Sequence, residues 1–141
     1  MSRIKLLIGI LVLVGIILSG CSGNEKGDWE TSPTFTSDNM TLHGVQDKFG
    51  IVKVNGKGDE PEFPVDEGRQ YQVYFLQKDF NGESYKMTAT HEGEEEVVKL
   101  YEADIEDKQS GAKLGFDKGG LWKVSVSVDE KPYTDFIIEV E

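Results

Sequence analysis

Apolar positions along this chain fall into two regimes. From Leu6 to Leu18 they run on without a charge. After residue 33 they come in short bursts, most of them alternating with polar residues at a spacing of two. That is the period that places every second side chain of a β-strand on one face. The clearest burst is Trp122, Val124, Val126 and Val128, interleaved with Lys123, Ser125 and Ser127. Asp129-Glu130-Lys131-Pro132 turns the chain, and Thr134, Phe136, Ile138 and Val140 repeat the alternation. Tyr71, Val73 and Phe75 share one face of a strand with Gln70 and Gln72 on the other, and Tyr85, Met87 and Ala89 share a face within 84–91. Thr34-Phe35-Thr36, Met40-Thr41-Leu42, Phe49 to Val54 and Val97 to Tyr101 are further β-prone runs.

Asn55-Gly56-Lys57-Gly58, Asn81-Gly82, Gly93 with its Glu run, and Asp117-Lys118-Gly119-Gly120 punctuate these runs as turns. Pro61 and Pro64 keep Glu60 to Val65 out of a central strand, because proline has no N–H for the ladder. Asp104 to Gly111 reads as a polar loop with one helical turn. No stretch beyond the first run sustains a 3.6-residue period. The expected fold is therefore all-β, an antiparallel β-sandwich of about seven strands following an N-terminal signal helix.

The leading run has the layout of a secretory signal: basic Arg3 and Lys5, 13 uncharged residues, then small Ser19 and Gly20 before Cys21. A membrane-crossing helix needs about 20 apolar residues, so the run is too short to span comfortably. Leu18-Ser19-Gly20-Cys21 resembles the lipobox of bacterial lipoproteins. The resemblance implies cleavage before Cys21, acyl chains such as palmitate carried through the Cys21 thiol, and a place on the extracytoplasmic face of the cell membrane. Cys21 is the only cysteine, so no intramolecular disulfide can form, and lipidation gives the odd thiol a role. One acyl chain binds membranes marginally and two bind stably.

Three segments follow: a signal peptide over 1–20, a flexible tether over 21–33, and a sandwich domain over 34–141. Removal of the signal leaves 121 residues. A tether of about 12 residues reaches roughly 20 Å, which keeps the domain near the bilayer. Within it, Trp29 is expected to dock on the domain or to rest at the membrane interface. The net charge is −11, and −13 once Arg3 and Lys5 are gone. Such a domain is repelled by nucleic acid and by anionic lipid, so the membrane is a partner through the lipid on Cys21 and nucleic acid is not a partner.

The remaining residues offer little reactive chemistry. His43 and His91 are far apart in sequence, and a transition-metal site needs three or four placed ligands, so no metal and no cofactor are expected. The acidic runs (Asp59, Glu60 and Glu62; Glu92 and Glu94 to Glu96; Asp104, Glu106 and Asp107) lack the spacing of an EF-hand loop. There is no Gly-x-Ser-x-Gly elbow, and the Gly-rich turns lack the phosphate-loop pattern. Enzymatic activity is not expected. Tyr71 and Tyr85 are assigned to packing. Tyr74, Tyr133, Asp104, Glu106 and Asp107 are the candidate partner surface.

Gly120-Leu121-Trp122-Lys123-Val124-Ser125-Val126 and the closing Phe136-Ile137-Ile138-Glu139-Val140 resemble the final hairpin of Ig-like domains in bacterial surface proteins. Trp122 stands where such domains place a corner Tyr, and Val124 where some carry a Cys. Together with Gly50-Ile51-Val52, Gly68-Arg69-Gln70-Tyr71 and Gly111-Ala112, the layout is similar to small lipoproteins of Bacillus and relatives. Tyr74-Phe75-Leu76 stand where that group carries Trp and His. The resemblance implies an Ig-like fold and a Gram-positive envelope, with no catalytic residue. The expectation is a lipid-anchored, monomeric, non-catalytic binding or accessory module that meets an envelope protein. The alternative is an inhibitor or modulator of an envelope protease that inserts the Asp104–Gly111 loop.

Overall fold

The computed structural model describes residues 29–141. The signal segment, with Leu18, Ser19, Gly20 and Cys21, lies outside the described residues. Within them the chain forms nine strands: β1 (Phe35–Ser37), β2 (Met40–Val45), β3 (Phe49–Lys53), β4 (Arg69–Phe75), β5 (Ser84–His91), β6 (Val97–Asp104), β7 (Gln109–Leu114), β8 (Gly120–Val128) and β9 (Lys131–Val140). They build two antiparallel sheets, ordered β1-β2-β3-β4-β7 and β6-β5-β8-β9. The chain changes sheet between β4 and β5, between β6 and β7, and between β7 and β8. Among the described residues no helix is long and apolar enough to cross a membrane.

The alternation in the sequence sets the core. Tyr71, Val73 and Phe75 of β4 face Tyr85, Met87 and Ala89 of β5 and Trp122, Val124 and Val126 of β8, all buried. Phe136, Ile138 and Val140 of β9 complete the same layer. Burying each aliphatic or aromatic side chain of this kind contributes about 1.5–3 kcal/mol. The ring of Phe75 sits at the centre of an aromatic group, edge-on to Phe49, Phe80 and Tyr85.

The strand count exceeds the expected seven because the three-residue β1 pairs with β2 and because β7 begins within the segment expected as a loop. β1 joins β2 through Asp38 and Asn39, and β8 joins β9 through Asp129 and Glu130. In both turns the two central residues have positive φ, the geometry that matches the right-handed twist of a hairpin. The segment 104–111 is not a polar loop with a helical turn. Asp104 ends β6, Ile105 is fully buried, and β7 starts at Gln109. Asp107 and Lys108 both take positive φ and reverse the chain there. The sequence pattern concealed this because one apolar residue sits among seven polar or small ones.

The last residues of the expected tether belong to the packed unit. Ser32 N–H donates to Ile137 O, and Ile137 N–H donates to Ser32 Oγ, so this segment lies along β9. Trp29 docks on the domain, with Lys123 Nζ 5.5 Å from its ring centroid.

Candidate functional site

Three groupings of polar or exposed side chains stand out on the sandwich. The first organises the loop between β3 and β4. Phe63 plugs the core there, stacked 5.4 Å from Tyr71 and edge-on to His43 at 5.0 Å. Around the plug, the Lys53 N–H donates to Glu62 Oε1, and Lys53 Nζ donates to Pro61 O. Tyr71 Oη donates to Glu62 O at 2.6 Å. Arg69 grips the Glu60 carboxylate through Nε and Nη2. The guanidinium holds the Glu60 pKa down at about 2. Burial lowers the pKa of His43, opposed by the Glu62 charge.

The second grouping ties the β5–β6 turn to the lead-in of β8. His91 Nε2–H donates to Gly119 O at 2.9 Å, and its ring lies edge-on to Trp122. Lys118 Nζ donates to Glu94 Oε1 at 2.6 Å. Trp122 Nε1–H donates to Lys118 O at 3.0 Å, so the indole makes a bond back to the backbone four residues upstream. That is the role a corner hydroxyl plays in Ig-type domains.

The third grouping is the free edge of β6. Val97 is 63% exposed and Val98 38%. Lys99 Nζ donates to Glu102 Oε1 at 3.0 Å on the same strand. Elsewhere the outer face of the second sheet has an open depression lined by Lys86, Thr88, Ser125, Ser127, Pro132 and Asp135. Among the described residues no three His, Cys, Asp or Glu side chains are grouped as a metal site.

The structure divides the expected partner surface. Asp104, Glu106 and Asp107 are exposed and come together at the β6–β7 turn. Tyr74 is half-buried on β4, its hydroxyl 3.6 Å from Met40 Sδ. Tyr133 is half-buried too. It packs on Phe75 and Phe80, donates from Oη to Lys48 O at 2.8 Å, and is covered by Lys48 Nζ at 5.0 Å. The cause is a register shift between Val126 and Ser127 in the β8–β9 pairing. The shift inserts Tyr133 as an extra residue and turns it inward. Tyr71 and Tyr85 are buried in the core, as assigned.

Sequence reasoning missed the Arg69–Glu60 clamp and the exposed β6 edge. The first had no short-range signal, since the partners are nine residues apart across a loop. The second had only a partial one: Val97-Val98 breaks the alternation after the acidic run Glu94 to Glu96, but a place at the edge of a sheet is set by topology.

No protein-family model matches the chain, and no curated protein matches it either. Among solved structures, the fold is similar to a protein from Bacillus anthracis provisionally described as a lipoprotein. That likeness has 20% identity and a TM-score of 0.66 and covers 83% of this chain and 88% of the other. A superoxide reductase (neelaredoxin) from Ignicoccus hospitalis is similar at 16% identity and a TM-score of 0.45, over 67% of this chain and 80% of the other. The first likeness supports the β-sandwich; the second is too low to carry an argument.

Proposed function

We propose that the chain is a lipid-anchored, extracytoplasmic module of Ig-like type that works at the cell envelope by binding another protein and not by catalysis. The observation that carries this reading is Leu18-Ser19-Gly20-Cys21 at the end of a 13-residue uncharged run, in a chain with no other cysteine. The fold likeness to a Bacillus protein provisionally described as a lipoprotein agrees with it.

The shifted ionisable groups of the sandwich fit a non-catalytic role. A general acid or base works best with its pKa near the ambient pH. Here Glu60 is pushed down to about 2 by Arg69, Tyr85 up to about 12 by burial, and Tyr71 further up by burial. Each shift moves the group away from neutrality, as expected of side chains that hold structure. In the protease-inhibitor alternative the inserting element would be the exposed hairpin turn at Glu106, Asp107 and Lys108, anchored by the buried Ile105.

Metabolic labelling with a fatty-acid analogue tests the anchor. The wild-type chain takes label and stays in the membrane fraction after a carbonate wash, and Cys21→Ala takes none and is released. An Ala variant that remains membrane-bound after the wash overturns the lipoprotein reading.

A further inference from the structure

We propose that β6 is a docking edge for an extended segment of an envelope protein, with an apolar middle and a basic residue or pair at each end. The inference rests on the binding-module reading above and names the chemistry of its partner. Peptides commonly bind by adding a strand to an open sheet edge, where main-chain hydrogen bonds give affinity and side chains give specificity.

Among the described edges, β6 is the one suited to this. β6 pairs only with β5. On the other side of the same sheet, the edge of β9 is taken at Ile137 by Ser32, in the second half of the strand. In the first sheet β1 is three residues long, and β7 offers Gln109, Gly111 and Lys113 to solvent, with no apolar side chain. Two of the three exposed large hydrophobics among the described residues are the adjacent Val97 and Val98. A bare apolar edge invites aggregation unless something protects it. Here the protection is a bulge: Met87 pairs with Tyr101 and Thr88 with Lys99, which leaves Leu100 as an extra residue. The kink denies a long flat strand and leaves room for a short one.

Charge selects the occupant. The bulge puts Lys99 and Glu102 on one face, where their 3.0 Å ion pair leaves the middle of the edge neutral. Glu95 and Glu96 are exposed just before the strand, and Asp104 and Glu106 at its far end. Residues 96 to 104 span about 26 Å at roughly 3.3 Å per residue, so both acidic ends fall within reach of one short segment. A second copy of this chain is disfavoured. Antiparallel pairing would set Glu95 and Glu96 of each copy beside Asp104 and Glu106 of the other, on two chains that are both strongly acidic. A basic-ended segment meets opposite charge at both ends.

The test uses the full lipidated protein in detergent micelles and two fluorescent peptides. Both have a Thr-Val-Thr-Val-Thr centre; one carries Lys-Arg at each end, the other Glu-Glu. The basic-ended peptide is expected to bind, more weakly as salt rises, and to slow amide hydrogen exchange in β6. The acidic-ended peptide is expected not to bind. Val97→Lys, at an exposed position, and the pair Glu95→Lys and Glu96→Lys are each expected to weaken binding about tenfold or more while the circular dichroism spectrum is unchanged. Absence of binding, protection confined to another strand, unchanged affinity in both variants, or a dimer formed through β6 overturns the proposal. If the edge fails but the lipidated chain still crosslinks to an envelope protein through another face, the binding-module reading stands without it.

Discussion

Arg69 holds Glu60 by two parallel hydrogen bonds, Nε to Oε1 and Nη2 to Oε2, each 2.9 Å long. The pair joins the first residue of β4 to the middle of the preceding loop, nine residues back. It fixes that loop over Phe63, the plug at this end of the core. Acid is therefore expected to loosen the loop. The Glu60 pKa is depressed from an ordinary 4.5 to about 2, so the unfolded chain binds the proton more readily. The stabilising contribution is complete above about pH 4.5 and is lost as pH falls towards 2. Thermal melts across that window should show a slope in the wild type that is reduced in Glu60→Gln.

His43 adds a second acid-sensitive contribution at higher pH. Its pKa is lowered from 6.5, chiefly by burial against Phe63 and neighbouring side chains. The unfolded chain then takes up a proton that the folded chain resists, so stability falls as pH drops below about 6.5. His43→Phe should remove that part of the pH dependence, read as a flatter melting midpoint between neutral pH and pH 5.

Gly56 allows the loop to close. Its φ is +97°, and a Cβ at this position would lie 1.9 Å from Glu60 Oε1. Gly56→Ala is expected to cost about 1–3 kcal/mol from backbone strain alone and to displace the clamp. Denaturant titration against wild type checks this, with no loss expected in Gly58→Ala, where the added Cβ meets open space.

Tyr133 and Trp122 are structural anchors, and each should behave as one. Tyr133→Phe gives up the bond to Lys48 O and should lower stability by about 1 kcal/mol. Trp122→Ala empties a core position and should cost about 3–5 kcal/mol. Chemical denaturation reads both.

The inward faces of β4, β5, β8 and β9 were legible in the sequence because each strand has one buried and one solvated side, and the alternation records that directly. Trp122 to Val128 is the plainest case. What stayed hidden depends on contacts distant along the chain. Tyr133 looks like a surface residue until the shifted β8–β9 register turns it under Lys48. Ile105 looks like a loop residue until the chain crosses between sheets there and buries it. The Phe63 plug lies between two prolines that correctly signal a break in the strand but say nothing about which side chain turns inward. Of the candidate surface, the acidic turn of Asp104, Glu106 and Asp107 was readable from composition. The neighbouring edge was not, because whether a strand is central or terminal in its sheet is set by topology.

Photo-crosslinking in living cells tests the central claim most directly. A photoreactive residue is placed in the lipidated chain at Val97, at Tyr74 and at Ser125, one on each of three strands, with and without Cys21→Ala. A discrete protein adduct is expected from the anchored chain, strongest from position 97, and lost in the Cys21→Ala background. No adduct from any of the three positions in the anchored chain would contradict a binding module at the envelope.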